Sequence, residues 1–206
     1  YTLDNSLLAT QGLINGQTVQ DVFSYTLTDG DGDQATATLS IAVSGANDTV
    51  TVTVPTEHTA NTPDAQTNDH AGFESGLAGG SGTNAADTQV LSSFSIDAKD
   101  GLATTNAITL TYINGAGNAQ SLLLSQAQVE ALGSSPITVN TQYGTLGLNG
   151  YSQDSSTGLI TVDYSYTLTS APDVSGVAVN DRIGITALDR NGDVHNSSAI
   201  DIKIVD

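Results

Sequence analysis

Apolar and polar residues alternate along much of this chain, most clearly on either side of one turn. Phe23, Tyr25 and Leu27 fall on one face, with Ser24, Thr26 and Thr28 on the other. After Asp29-Gly30-Asp31-Gly32-Asp33 the pattern resumes, with Ala37, Leu39, Ile41 and Val43 alternating with Thr36, Thr38 and Ser40. A period of two on both sides of a Gly/Asp cluster predicts a β-hairpin with strands over Val22–Thr28 and Thr36–Val43. Tyr1-Thr2-Leu3 reads as the tail of a third strand. Three strands with one apolar face are too few for a sandwich, which needs two sheets. Residues 1–48 are therefore expected to be the C-terminal part of a β-sandwich module whose N-terminal strands are missing.

The same segment returns at the far end of the chain. Tyr166-Thr167-Leu168 matches Tyr1-Thr2-Leu3, and Gly176 to Asp181 matches Gly16 to Asp21 without a gap. Asp189-Arg190-Asn191-Gly192-Asp193 then lies over Asp29–Asp33. Ile183, Ile185 and Ala187 precede this second turn and Ile200, Ile202 and Ile204 follow it; a one-residue insertion after the turn keeps the apolar face in register. Residues 49–206 are thus expected to form a complete second module. Its strands are expected at Thr49–Pro55, Val90–Ile96, Ala107–Ile113, Ala119–Leu124, Ile137–Asn140, Gly144–Leu148 and Leu159–Leu168. One short helix is expected over 126–132, where Ser125 and Gln128 make a capping box and Gly133 an exit. The fold class is all-β, with antiparallel β-sandwich modules in tandem.

Between the first and second strands of this module, residues 56–88 are rich in Thr, Asn, Ala, Gly and Asp, with Phe73 and Leu77 as the main apolar residues. Loops beyond about 15 residues are usually functional or disordered. The bland expectation is a loosely pinned surface loop. The sharper one is a ligand-binding loop carrying Glu57, His58, Asp69, His70 and Glu74.

Composition narrows the function classes. The chain of 206 residues carries a formal net charge of −18 from only four basic residues, Lys99, Arg182, Arg190 and Lys203. Nucleic acid and anionic membranes need clustered Lys and Arg, so neither is an expected partner. No cysteine is present, which excludes disulfides, thiolate zinc sites and cysteine catalysis. No apolar run approaches the ~18 residues of a membrane-spanning helix.

Three carboxylates in five residues, Asp29, Asp31 and Asp33, repel one another unless a cation lies between them. Hard oxygen ligands in a turn suit Ca²⁺; a solvated turn is the plainer alternative. The run imitates the start of an EF-hand loop, yet its twelfth position is Ser40, where a bidentate Glu is needed. Catalysis has no assembled set: His58 and His70 lie in the long stretch and His195 at a strand start, and no phosphate-binding glycine loop is followed by Lys and Ser/Thr. The chain is not expected to be an enzyme.

Tyr1-Thr2-Leu3, the run from Gly16 through Asp33, and Ala35 to Asp48 ending in Asn47-Asp48 together resemble the C-terminal half of VCBS repeats. Residues 90–206 are similar to the related cadherin-like, Ig-like repeats of type I-secreted RTX adhesins, through Tyr143-Gly144-Thr145-Leu146, Tyr164-Ser165-Tyr166 and Ala187 to Asp193. Arg190 departs from that pattern, where a small or acidic residue is expected. The resemblance implies an extender module of a large bacterial cell-surface or biofilm adhesin, extracellular, with Ca²⁺ stiffening the junctions between neighbouring modules of one polypeptide. A module that binds a glycan or peptide in the presence of Ca²⁺ is the alternative, and a domain of a secreted Ca²⁺-dependent hydrolase a third reading.

Strand direction places the ions independently of the family. In an immunoglobulin-type sandwich the hairpin before the last strand turns at the N-terminal pole. Asp189, Asn191 and Asp193 should therefore face the junction with module one, opposite Asn47 and Asp48. The loop carrying Asp97 and Asp100 should turn at the same pole. By the same logic Asp29, Asp31 and Asp33 should face an upstream module and Asp206 a downstream one.

Overall fold

The computed structural model describes residues 1–55, 70–82, 84–170 and 179–205. Period-two alternation in the second module has its physical counterpart in two sheets that bury one face each. One sheet runs β3-β5-β10-β9-β8, from β3 (Thr51–Thr53), β5 (Gln89–Asp97), β8 (Ile137–Asn140), β9 (Gly144–Gln153) and β10 (Ile160–Leu168). The other runs β4-β12-β11-β6-β7, from β4 (Ala71–Phe73), β6 (Ile108–Ile113), β7 (Ala119–Leu124), β11 (Val179–Leu188) and β12 (Val194–Val205). Their inner faces meet in one core that includes Phe94, Ile96, Leu110, Leu146, Val162, Tyr164, Ile183, Ile200 and Ile202. The chain is an all-β protein built on a sandwich.

The predicted helix is present as α2 (Gln126–Glu130). Ser125 Oγ accepts from the Gln128 N–H, and Gln128 Oε1 accepts from the Ser125 N–H at 2.9 Å. Val129 and Leu132 anchor it in the core.

Three expectations need correction. A second helix, α1 (Leu8–Gln11), occupies the segment between Leu3 and Gly16, which showed no periodicity because a single turn is too short to express one. Tyr1–Leu3 forms no strand. The stretch from His70 onward is ordered by the fold: β4 pairs parallel to β12 at its edge, so that sheet is mixed, and His70, Ala71 and Phe73 are buried. Ala-Gly-Phe is too short to display a period; an adjacent sheet edge makes it a strand. His70, a ligand candidate only in the sharper of the two loop readings, stacks on Tyr164, hydrogen-bonds its hydroxyl and gives its carbonyl to the Lys203 N–H. Glu57, His58, Asp69 and Asp206 lie outside the described residues.

The first module is a two-stranded antiparallel sheet, β1 (Thr18–Thr28) and β2 (Gln34–Ser44). Its repeat relation to β11–β12 holds bond for bond at the turn. Asp29 N donates to Asp33 O at 3.0 Å and Asp189 N to Asp193 O at 3.1 Å. Asp33 N and Asp193 N each donate to Oδ1 of the turn's first aspartate at 2.8 Å. Gly32 and Gly192 both take positive φ, 99° and 92°, which their lack of a Cβ permits. Phe23 pairs with Leu39 as Ile183 pairs with Ile200. The one-residue insertion is a β-bulge: Ile185 faces Ser198 and Ala187 faces His195, so two steps on β11 span three on β12.

Candidate metal centre at the junction

The linker between the modules is held by backbone packing. Gly45 N donates to Gln17 O at 2.8 Å, and a Cβ on Gly45 would lie 2.2 Å from Leu13 O, so only glycine fits. Leu13, Val43 and Val50 are buried around it. The α1 segment meets module two through Leu8, whose methyl lies 3.0 Å from the Cβ position of Gly158. The adjoining cleft is lined by Asn5, Gln11, Lys99 and Thr157, with Lys99 Nζ donating to Thr157 O at 2.8 Å.

Directly after this linker, Asn47 and Asp48 land on two loops of module two. Asn47 Nδ2 donates to Asp193 Oδ2 at 2.7 Å, and the Asp48 N–H donates to Asp100 Oδ2 at 2.8 Å. Asn191 Nδ2 donates to the same Asp100 oxygen at 2.7 Å. The two loops are joined by the Arg190 N–H to Gly101 O bond of 3.0 Å and by a bridge between Leu102 and Asp189. The structure thus gathers Asn47, Asp48, Asp100, Asp189, Asn191 and Asp193 at one junction.

Asp97 stands apart from this group. It forms an ion pair with Lys99 at 3.0 Å in a geometry too poor for a hydrogen bond to its Oδ1. Asp29, Asp31 and Asp33 lie in the exposed turn of module one, and their carboxylate oxygens come within 4.8 Å of one another.

Burial separates the two repeated turns. Asp100 and Asp189 are only 1% and 2% exposed. Asp100 Oδ1 and Asp189 Oδ2 are buried and have no hydrogen-bond donor among the described residues. Burial pushes the Asp189 carboxyl above the ordinary aspartate range, against backbone N–H groups of the turn that pull it down. The equivalent Asp29, open to water, is held below that range, first by hydrogen bonding with Asp31 and then by the Asp33 N–H. The same local geometry carries opposite shifts because one turn is covered and the other is not.

No family model matches the chain, and comparisons with curated proteins and with solved structures found no match either. The site is therefore read from its own chemistry. Lys99 pairs with Asp97 and Arg182 with Asp201, while Arg190 packs its guanidinium over Gly101, 3.2 Å from the Cβ position. Arg190 thus closes the outside of the loop by packing, where a smaller residue was expected.

An ionised carboxylate oxygen buried without a partner costs several kcal/mol unless a cation or proton reaches it. Asp100, Asp189 and Asp193, with amide oxygens of Asn47 and Asn191 available by a half-turn of each amide group, place oxygen donors along this junction, although among the described residues the three carboxylate oxygens found within 4.8 Å of one another are those of Asp29, Asp31 and Asp33. Oxygen donors suit a hard divalent cation and offer nothing to a soft one. Sequence reasoning missed the backbone contribution, namely the Asp48 N–H and the Gly101 carbonyl that lock the loops together.

His195 is half-buried, where strand-start exposure was expected. Its Nε2 meets Ser198 Oγ at 3.0 Å, and that hydroxyl donates to Val52 O at 2.8 Å, which pins β3 to β12.

Proposed function

We propose that the chain is a calcium-stabilised structural extender of a bacterial cell-surface adhesin, in which Ca²⁺ rigidifies the junction between modules one and two. One observation carries the reading. Two carboxylate oxygens, on Asp100 and Asp189, are buried and unpartnered among the described residues, at the place where the Asn47–Asp48 linker docks. An ion held there by both loops and the linker penalises any bending that separates them. Ligands from both sides of a junction make binding and stiffening one event. An extracellular setting fits this scheme, since oxygen-rich extracellular modules typically bind Ca²⁺ with Kd of about 10⁻⁴–10⁻³ M.

The reading of residues 56–88 as a glycan- or peptide-binding loop gains no support from its described part. His70, Ala71 and Phe73 face the core instead of solvent.

Isothermal titration of the chelator-treated chain with Ca²⁺ tests the proposal. The expected result is binding in the range given above, weakened about tenfold or more in Asp189→Asn and Asp100→Asn and retained in Asp31→Asn. Binding that survives both junction substitutions and disappears in Asp31→Asn would move the ion to the open turn and sink the junction mechanism.

A further inference from the structure

The two modules differ in the connection that leads into their last hairpin. Between Leu3 and Gly16 module one has the twelve residues 4–15; between the matching Leu168 and Gly176 module two has the seven residues 169–175. The longer connection carries α1, and α1 lies against module two. Its apolar contact is Leu8, whose methyl reaches to 3.0 Å from the Cβ position of buried Gly158. One helical turn later the Cβ position of Gly12 is 3.8 Å from Lys99 O, in the loop that also carries Asp100.

The receiving surface is held together within module two. Lys99 Nζ donates to Thr157 O at 2.8 Å and forms an ion pair with Asp97, which ties the 97–101 loop to the 154–158 turn. Asp154 Oδ1 fixes that turn by accepting from the N–H and the hydroxyl of both Ser156 and Thr157, at 2.6–3.0 Å. On the module-one side, Gln11 Nε2 donates to Asn5 O at 2.6 Å and closes the segment around α1. Of the residues lining the cleft between them, Lys99 alone is charged, and both of its partners belong to module two. This contact is therefore made by packing and neutral groups, whereas Asn47 and Asp48 dock on carboxylates.

We infer that α1 is a metal-independent clasp, so that two attachments of different chemistry hold the junction. One is the packing of α1 on Gly158 and the Lys99 loop; the other is the carboxylate cluster that receives Asn47 and Asp48. Attachment at two separate places opposes bending, where a single one would leave a hinge. The clasp holds whether or not the proposed metal centre takes an ion.

Pulsed electron paramagnetic resonance on the 206-residue chain tests this, since a chain without cysteine takes nitroxide labels only at introduced ones. Thr38→Cys on β2 and Ser121→Cys on β7 put one exposed label on each module, outside both contacts. In chelator the labelled chain should keep one narrow distance distribution. Adding Leu8→Asp should broaden it by about twofold or more, since relative motion is the default for modules joined by a small interface. A broad distribution in chelator with Leu8 intact overturns the clasp, and so does a narrow one for Leu8→Asp in chelator. About 10 mM Ca²⁺ then distinguishes the two attachments. A Leu8→Asp chain that narrows again carries both; one that stays broad leaves the clasp standing and removes calcium stiffening from the junction. Where Leu8→Asp does not fold, Leu8→Ala takes its place with the same outcomes.

Discussion

Asp100→Asn separates a metal ligand from a structural aspartate, because its effect should change sign with Ca²⁺. Asp100 Oδ2 accepts from Asp48 N and Asn191 Nδ2, while Oδ1 is buried without a donor among the described residues. An asparagine keeps an acceptor where Oδ2 stands and removes the charge. In chelator, relief of an unpartnered buried charge is worth about 1–3 kcal/mol, set against weaker hydrogen bonds to a neutral acceptor, so the variant should melt at or above the unmodified chain. With about 10 mM Ca²⁺ and Kd of about 10⁻³–10⁻⁴ M, the unmodified chain should gain about 1.4–2.7 kcal/mol. For a domain of this size that is roughly 3–10 °C in Tm. Loss of one charged ligand weakens binding by about tenfold or more, which removes about half to three-quarters of that gain or more. The assay is calorimetric melting of both proteins in chelator and in Ca²⁺, with Asp31→Asn as the control that keeps the full shift. A variant destabilised equally in both conditions would show that Asp100 only holds loops together. An unmodified chain indifferent to Ca²⁺ would remove the metal altogether.

Asp181→Ala should cost about 3–5 kcal/mol in urea unfolding, since the buried Tyr166 hydroxyl and the half-buried Tyr143 N–H would lose their acceptor, while Thr141 Oγ1 keeps Gly144 O at 3.0 Å; a loss below about 1 kcal/mol would mean that water replaces the carboxylate. Gly144→Ala places a Cβ 2.4 Å from the Tyr166 ring and hydroxyl, so it should break the same network and approach the Asp181→Ala loss, with the two changes less than additive in a double-mutant cycle. Burial raises the Tyr164 phenol to about 12, above the ordinary tyrosine value of 10.0. The folded state therefore holds this proton more tightly than the unfolded chain. Its contribution is fully present below the unfolded value and is lost as pH rises from 10.0 toward about 12, by up to about 3 kcal/mol. Tyrosinate absorbance for this residue should appear together with alkaline unfolding, and an earlier, separate titration would contradict its burial.

Much of this architecture is local information. Alternation from Ile160 to Leu168 reports which side chains face the core, because successive side chains on a strand point to opposite faces. The Asp-x-x-Gly-Asp turn and the Ser125–Gln128 cap are legible for the same reason, as their hydrogen bonds join residues a few positions apart. Even the β-bulge was visible, as one extra residue between two aligned strands. The junction was reached only in outline. Strand direction set Asp48, Asp100 and Asp189 at one pole, but their side-chain burial depends on loops far apart in sequence closing over each other. That is why Asp29 and Asp189, in turns of the same geometry, differ in charge environment. Tertiary structure alone decided that Asp97 turns to Lys99, that His70 enters the core, and that Ala71–Phe73 becomes a strand. The residue pattern determines which faces are apolar and where the chain reverses; which carboxylates lose their water is settled only when distant loops are packed together, since desolvation belongs to the assembled surface and not to any single segment.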